Sequence, residues 1–289
     1  MRLAEMRQFL ANRNIRLTRS LGQNFLHDGN QLHRIVAAAG LSREDNVLEI
    51  GPGLGPLTER LLAEAGHVLA IEKDARLETW LAERFRNEPR LELRHADALD
   101  ALRAQPRDWS SWTVVSNLPY CVASALITEF ALATAPPKRL VVTLQLEVAR
   151  RLAAKPHAGD YGVLTLLVRQ RYQLGPWFRI PATCFFPQPD VDSACVRLDR
   201  RPDSEQLPDA TTRQAFVHVV KRGFSERRKR LFKLLRRDWD EPALEAAFLA
   251  LGLDADCRAE QLDLHQFQAL ARRLLTPRSA GAPALPPTP

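Results

Sequence analysis

Asn117-Leu118-Pro119-Tyr120 closes the apolar run 112–116, so a carboxamide, a proline turn and a phenol ring stand together at the carboxyl edge of a strand-like segment. Such a set can hold a planar amine by its edge, through the Asn117 side-chain oxygen and the Leu118 carbonyl, and by its face, through Tyr120. The chemistry this suggests is modification of a nucleobase. An isolated N-x-P-Y is also an ordinary β-turn sequence, so the reading depends on what else the chain places at strand ends.

Glu49-Ile50-Gly51-Pro52-Gly53-Leu54-Gly55 follows a strand-like run and opens a helical pattern at Pro56, a residue suited to the first helical turn. Glycines there let the backbone approach a ligand where a side chain would collide. A dinucleotide fingerprint needs a third glycine three positions after the second, and that position holds Pro56. A compact GxGxG without it is the form that S-adenosylmethionine enzymes use. Glu72 stands at the end of the next strand, 21 residues beyond Gly51, where an acid can chelate the ribose hydroxyls of an adenosine. Asp97 follows the third strand: it is placed to accept from an adenine amine, and also to cap the helical segment 98–104.

With an activated methyl donor, positioning and desolvation of the acceptor amine carry the rate, and neither a general base nor a metal is demanded. A duplex base reaches such a pocket only if extruded or presented unpaired, held between apolar or aromatic faces. Phe185 and Phe186 in Thr183-Cys184-Phe185-Phe186-Pro187-Gln188-Pro189 are candidates for the face opposite Tyr120, and one of them is equally a candidate for the core.

The chain has 289 residues, a formal charge of +7 and a pI near 9.6, which implies an acidic partner such as nucleic acid. The charge is concentrated: between Lys221 and Arg237 lie nine Lys or Arg against the single acid Glu226. Arg222, Arg227, Arg228, Lys229 and Arg230 are the candidate RNA contacts, and Arg2, Arg7, Arg13, Arg16 and Arg19 are candidates for extending the same surface. A solvated helix face is the plain alternative for such a run. No stretch approaches the ~18 apolar residues of a membrane span. Residues Arg2, Glu5 and Arg7 sit among scattered apolar side chains with no continuous apolar core and no small-residue cleavage site, so a cytosolic protein is expected, and a monomer. Cys121, Cys184, Cys195 and Cys257 lack CxxC or Cys/His ligand spacing, so neither a disulfide framework nor a zinc site is expected.

The elements that must position these residues alternate. Strand-like runs at 47–50, 68–71, 91–93, 112–115 and 140–144 are separated by helical patterns at 56–64, 74–85 and 121–132. The fold class expected is α/β, a Rossmann-like, mostly parallel sheet covered by helices on both faces. Helical segments at 146–154 and 161–171 precede strand-like runs at 172–180 and 194–198, which read as an antiparallel hairpin at the sheet edge. The domain division expected is 1–200 for the methyltransferase domain, 201–210 for a linker and 211–275 for a helical RNA-binding domain, with Asp263 and Gln266 spaced as a capping box. A disordered tail is expected at 276–289, which holds five prolines.

With those residues in hand, the chain resembles the ribosomal RNA adenine dimethyltransferases, and most closely the bacterial branch acting on 16S RNA. The match runs through Leu21-Gly22-Gln23-Asn24-Phe25-Leu26-His27-Asp28, residues 49–58, Ile71-Glu72-Lys73-Asp74, Asp97-Ala98-Leu99 and Asn117 to Tyr120. It continues through Gln145-Leu146-Glu147-Val148-Ala149, Tyr161-Gly162, the run from Phe185 to Ser193, and Arg227-Arg228-Lys229. The resemblance implies two methyl transfers to N6 of each of two adjacent adenosines in the 3′-terminal hairpin loop of 16S rRNA, in the assembling small subunit. It implies S-adenosylmethionine as donor, S-adenosylhomocysteine as product, and Asn24, Leu26, Gly51, Glu72, Asp97 and Asn117 as donor-binding residues. It also makes Phe185 the aromatic opposite Tyr120. Leu21 stands where the family commonly has an aromatic, His95 where a glycine is frequent, and Lys229 is followed by Arg230-Leu231-Phe232 where Thr-Leu-Arg is usual. An enzyme of the same architecture acting on 23S rRNA is the alternative for the substrate. A binding protein without catalysis and an NAD oxidoreductase are the alternatives of a different class, the latter disfavoured by Pro56.

Overall fold

The structure, a computed structural model, describes residues 3–13, 22–104 and 107–275. The tail at 276–289, Leu21, and the cations Arg2, Arg16 and Arg19 lie outside the described residues.

The described chain begins with α1 (Leu3–Asn12), β1 (Phe25–Leu26), α2 (Gly29–Ala39), β2 (Asn46–Ile50), α3 (Pro56–Glu64), β3 (His67–Glu72), α4 (Ala75–Arg84), β4 (Leu91–His95) and α5 (Ala98–Ala104). It continues with β5 (Trp112–Asn117), α6 (Ala123–Leu132), β6 (Arg139–Gln145), α7 (Leu146–Ala153), α8 (Val163–Arg169), β7 (Tyr172–Ile180), β8 (Phe185–Phe186) and β9 (Ser193–Arg200). Four helices complete it: α9 (Ala210–Gly223), α10 (Leu231–Leu235), α11 (Glu241–Ala250) and α12 (Leu264–Arg273).

Seven strands form one sheet in the order β4-β3-β2-β5-β6-β9-β7. The first five are parallel to their neighbours, and β9 runs antiparallel to both β6 and β7. This is the expected Rossmann-like sheet with its antiparallel edge. Central strands of such a sheet are covered on both faces, which is why β2 and β3 read as near-continuous apolar runs and are buried from Val47 and Val68 onward. Local chemistry sets the helix starts. Asp28 caps α2 by accepting from the Gln31 N–H at 2.9 Å, and Asp74 caps α4 by accepting from the Arg76 N–H at 3.1 Å. A second, two-stranded sheet, β1 with β8, pairs Phe25 with Phe186 and Leu26 with Phe185. Neither that ribbon nor helices α1 and α2 were legible in the sequence pattern.

Strand order reverses between β2 and β5, and there the ladder stops early. Pairing runs from Asn46↔Trp112 to Leu48↔Val114, and the strands then part. The Ser116 hydroxyl spans the gap, accepting from the Ile50 N–H at 3.2 Å and donating to the Ile50 carbonyl at 2.5 Å. A crevice at the carboxyl ends of strands flanking such a switch is where open α/β sheets bind ligands.

The chain divides into two compact units, Met1–Arg150 with Tyr172–Arg200, and Arg151–Arg171 with Arg201–Pro289. The first holds the sheet. Its core is built on residues such as Ile35, Val47, Leu61, Val68, Val115 and Val141, all without solvent exposure, each contributing roughly 1.5–3 kcal/mol by burial. The second is helical, packed around Trp239, Phe216, Phe267 and Leu235. This division differs from a boundary at 200. Helix α8 belongs with the second unit because Leu166 and Leu167 pack in its core. The stretch 201–210 is no solvated linker either, since Leu207 is 2% exposed in that same core and the Gln206 amide donates to the Arg201 carbonyl at 2.6 Å. The capping box of α12 is formed as the sequence suggests: the Asp263 carboxylate accepts from the Gln266 N–H at 2.8 Å, and Gln266 Oε1 accepts from the Asp263 N–H at 2.9 Å.

Candidate active site

A cleft of about 150 Å³ opens at the carboxyl ends of β2, β3, β4 and β5, and Asn24, Gly51, Glu72, Asp97, Asn117, Leu118 and Tyr120 all line it. Residues spread over almost a hundred positions of sequence thus meet in one place.

The glycine turn is close-packed. Gly51 has φ +69° and Gly53 φ +62°, in the left-handed region that side chains disfavour, and a Cβ on Gly53 would lie 2.7 Å from the Phe25 ring. Beneath the turn Glu49 is buried. Its carboxyl accepts from the Thr58 hydroxyl at 2.7 Å, and burial, with the nearby Glu72 charge adding to it, pushes its pKa up to about 8.

Glu72 is buried at the end of β3, and its two oxygens accept three backbone N–H groups, from Gly53 at 3.0 Å, Lys73 at 3.0 Å and Asp74 at 2.9 Å. Burial raises its pKa, and the three N–H bonds oppose that shift. Asp97 does both things its position allowed. Oδ1 accepts from the Leu99 N–H at 2.9 Å as a helix cap, and Oδ2 accepts from the Lys73 ammonium at 2.6 Å, which lowers its pKa. Lys73 was not foreseen as a partner: in sequence it is only the neighbour of Glu72. His95, at the family's frequent glycine, is exposed and donates through Nε2 to the Lys73 carbonyl at 3.1 Å.

Asn117 ends β5. Its Nδ2 donates to the Asn24 carbonyl at 2.9 Å, which fixes the amide so that Oδ1 is the free end. That oxygen is buried and accepts no hydrogen bond within the protein. A buried acceptor without a donor costs roughly 1–3 kcal/mol. The Leu118 N–H donates to the Thr143 carbonyl at 3.1 Å, which locks the turn to β6. Tyr120 lies half-buried, its hydroxyl 2.5 Å from that of Ser193. On the other side, Gln23 donates to Asp74 at 2.9 Å, tying the segment that carries Asn24 to the start of α4.

Two residues that the family resemblance assigns to the site have side chains outside the cleft. Phe185 is 2% exposed in the core with Leu26, its partner across the β1–β8 ribbon, and neither side chain lines the cleft. Pairing in that ribbon turns the two side chains to the same interior face. Phe186 is the ring left partly exposed, with the Arg7 guanidinium 5.2 Å from its centroid. Arg13, another suggested RNA contact, pairs with Glu83 at 2.6 Å and lies over Phe9 and Trp80.

The basic strip belongs to the helical unit and is less bare than it reads. Arg222 makes a two-pronged pair with Asp238 at 2.6 and 2.8 Å, and His218 shares that carboxylate. Arg230 pairs with Asp256, Arg237 with Glu226 and Arg236 with Glu241, while Arg227 donates to the Gly159 carbonyl at 2.7 Å. Acids from later in the chain fold back onto the run. Arg228 and Lys229 are exposed and in no ion pair among the described residues. Among the described residues no cluster of His, Cys, Asp or Glu could hold a metal ion, and no helix is long and apolar enough to cross a membrane.

The residues fit a nucleoside-bearing methyl donor: an acid at the β3 end and a glycine cradle that a Cβ would fill. Comparison with known proteins agrees. The family model described as ribosomal RNA adenine dimethylase matches residues 14–275. A protein named ribosomal RNA small subunit methyltransferase A from Geobacillus thermodenitrificans is 37% identical over 279 residues, covering 93% of this chain and 94% of its own. One of the same name from Geobacillus kaustophilus is 39% identical over 266 residues, covering 89% and 90%. Among solved structures, the 23S rRNA methyltransferase ErmE superposes with a TM-score of 0.65 at 29% identity, over 86% of this chain and 99% of its own. A dimethyladenosine transferase from Plasmodium falciparum superposes with a TM-score of 0.74 over 85% and 95%, at 24% identity, and shares the fold. The chain belongs to the ribosomal RNA adenine dimethylase family, the S-adenosylmethionine-dependent rRNA adenine dimethyltransferases.

Proposed function

We propose that this enzyme dimethylates N6 of two adjacent adenosines in the 3′-terminal hairpin loop of 16S rRNA, within the assembling small subunit. The observation that carries the reading is the buried, unpartnered Oδ1 of Asn117 beside the Leu118 turn and the Tyr120 ring. An exocyclic amine brings the N–H that this oxygen lacks.

Adenine N6 is a poor nucleophile because its lone pair is delocalised into the ring. Asn117 Oδ1 and the Leu118 carbonyl bind its hydrogens and favour the pyramidal nitrogen that attack requires, and Tyr120 stacks on the base. When bound, S-adenosylmethionine supplies an electrophilic sulfonium methyl group. Glu72 would hold the ribose hydroxyls, Gly51 and its neighbours would admit the amino-acid end, Asp97 would accept from the adenine amine, and Asn24 would bind the donor beside them. The ribose hydroxyls return hydrogen bonds to a Glu72 carboxyl whose burial raises its pKa. Catalysis is then chiefly positioning and exclusion of water. With Phe185 in the core, Tyr120 is the aromatic face offered to the base. Arg228 and Lys229, with Lys221 and Lys233, are exposed cations of the strip in no ion pair among the described residues and are open to RNA phosphates.

The relatives at 37% and 39% identity are named for the small subunit, and ErmE, at 29%, for 23S rRNA. Incubation with labelled donor and, separately, undermethylated small and large subunits separates the two substrates. Label in the small-subunit RNA is expected, and label confined to the large subunit would refute the assignment.

A further inference from the structure

The family-like run ending in Ser193 places behind the cleft a residue that the proposed mechanism leaves unused. Ser193 has no solvent exposure and opens β9, paired with Gln145 at the end of β6 and Ile180 at the end of β7. The residue before it is fastened from three sides. The Asp192 carboxylate accepts from the Ala182 N–H at 2.8 Å and pairs with Arg179, and the Asp192 carbonyl accepts from the Leu146 N–H at 2.9 Å. The Ser193 hydroxyl is therefore held at the start of a strand paired on both sides, and it meets the Tyr120 hydroxyl at 2.5 Å.

Tyr120 itself sits on a turn, Pro119 O accepting from the Val122 N–H at 3.1 Å, and its ring borders the cleft beside Asn117. A ring attached only through Cβ chooses among staggered χ1 wells. Fastened also at its hydroxyl, it has one orientation. We propose that Ser193 is a positioning residue: its hydroxyl holds the Tyr120 phenol so that the ring face, not the ring edge or hydroxyl, meets the acceptor base. The bond costs the base nothing on entry, because the phenol is already oriented, and misplacement of the order of 1 Å in such a contact lowers the rate steeply. The inference rests on Tyr120 being the stacking face for the base.

The test is a set of variants, Ser193→Ala, Tyr120→Phe, both together, and Tyr120→Ala, assayed on undermethylated small subunits. S-adenosylhomocysteine affinity is measured by calorimetry and base stacking by the fluorescence of an RNA carrying 2-aminopurine at the target position. Ser193→Ala and Tyr120→Phe are each expected to lower kcat by about five- to tenfold, the size of one lost hydrogen bond. The double variant is expected to be no worse than either single one, with S-adenosylhomocysteine affinity unchanged and weaker quenching of 2-aminopurine. Effects that add in the double variant, or wild-type kcat in Ser193→Ala, would overturn the inference. Tyr120→Phe leaves Ser193 in place, so wild-type kcat and quenching in that variant overturn it even if Ser193→Ala fails to fold. Retained turnover in Tyr120→Ala sinks the stacking role itself. An inactive Tyr120→Ala beside normal Tyr120→Phe and Ser193→Ala sinks only the Ser193 assignment.

Discussion

The Asn117 amide donates to the Asn24 backbone carbonyl at 2.9 Å, and that bond leaves its oxygen as the free end of the amide, buried and unpartnered beside the cleft that Asn117 lines. The oxygen proposed to accept from the base is thus oriented by the segment carrying Asn24, which lines the same cleft. Replacing Asn117 by Ala removes the oxygen while leaving the helical unit untouched. Turnover is expected to fall by on the order of 10²–10³, with RNA affinity within about twofold of wild type on the electrostatic view of RNA binding. Methyl incorporation and a filter-binding titration measure the two; unchanged turnover would remove Asn117 from the mechanism.

Gly53→Ala places a methyl 2.7 Å from the Phe25 ring at a φ of +62°. The strain is expected to cost about 1–3 kcal/mol of stability. Because Phe25 and Gly53 both line the cleft, affinity for S-adenosylhomocysteine should drop by at least about tenfold as the turn shifts. Denaturant melts and calorimetry check both. A variant as stable and as tight-binding as wild type would mean that the turn relaxes freely.

The basic strip should divide into two behaviours. Arg222→Ala leaves Asp238 without its two-pronged partner, and a stability loss of about 2 kcal/mol is expected from charged hydrogen bonds of this kind. Arg228→Ala with Lys229→Ala should leave the melting temperature alone, weaken RNA binding, and reduce the slope of log K against log salt by about 1 to 2. A salt slope unchanged in the double variant would place the RNA elsewhere.

Glu49 makes stability depend on pH. Its pKa rises from 4.5 in the unfolded chain to about 8 in the folded one, so between those values the folded state holds a proton that the unfolded state has released. Raising the pH through this window favours unfolding, and below the unfolded value the effect vanishes. Glu49→Gln abolishes the titration. Its stability relative to wild type is expected to improve steadily from about pH 4.5 to about pH 8 and then level off, measured by denaturation at several pH values. A difference independent of pH would show that Glu49 is ionised in the fold.

What the sequence made legible was whatever local pattern determines. The alternation of apolar runs and helical periods gave the sheet, Pro56 and the glycines marked the turn, and Asp263 with Gln266 marked the last helix start. Glu72, Asp97 and Asn117 could be placed because each stands at or just past the carboxyl end of a strand of that sheet. Phe185 could not: two adjacent phenylalanines carry no mark of which faces inward until β8 pairs with β1. The strip from Lys221 to Arg237 reads barer than it is for a related reason. Its neutralising acids, Asp238, Glu241 and Asp256, lie beyond the window and are brought to it by folding. Ser193 and Lys73 escaped notice as functional partners because their roles exist only through Tyr120 and Asp97, residues distant in sequence.

The most direct test maps the product. Undermethylated small subunits are incubated with the enzyme and S-adenosylmethionine, and nuclease fragments of the 16S rRNA are weighed by mass spectrometry. The account predicts two adjacent N6,N6-dimethyladenosines in the 3′-terminal hairpin loop, absent with Asn117→Ala. Methyl groups found only at other positions, or an unmodified hairpin after full incubation, would contradict it.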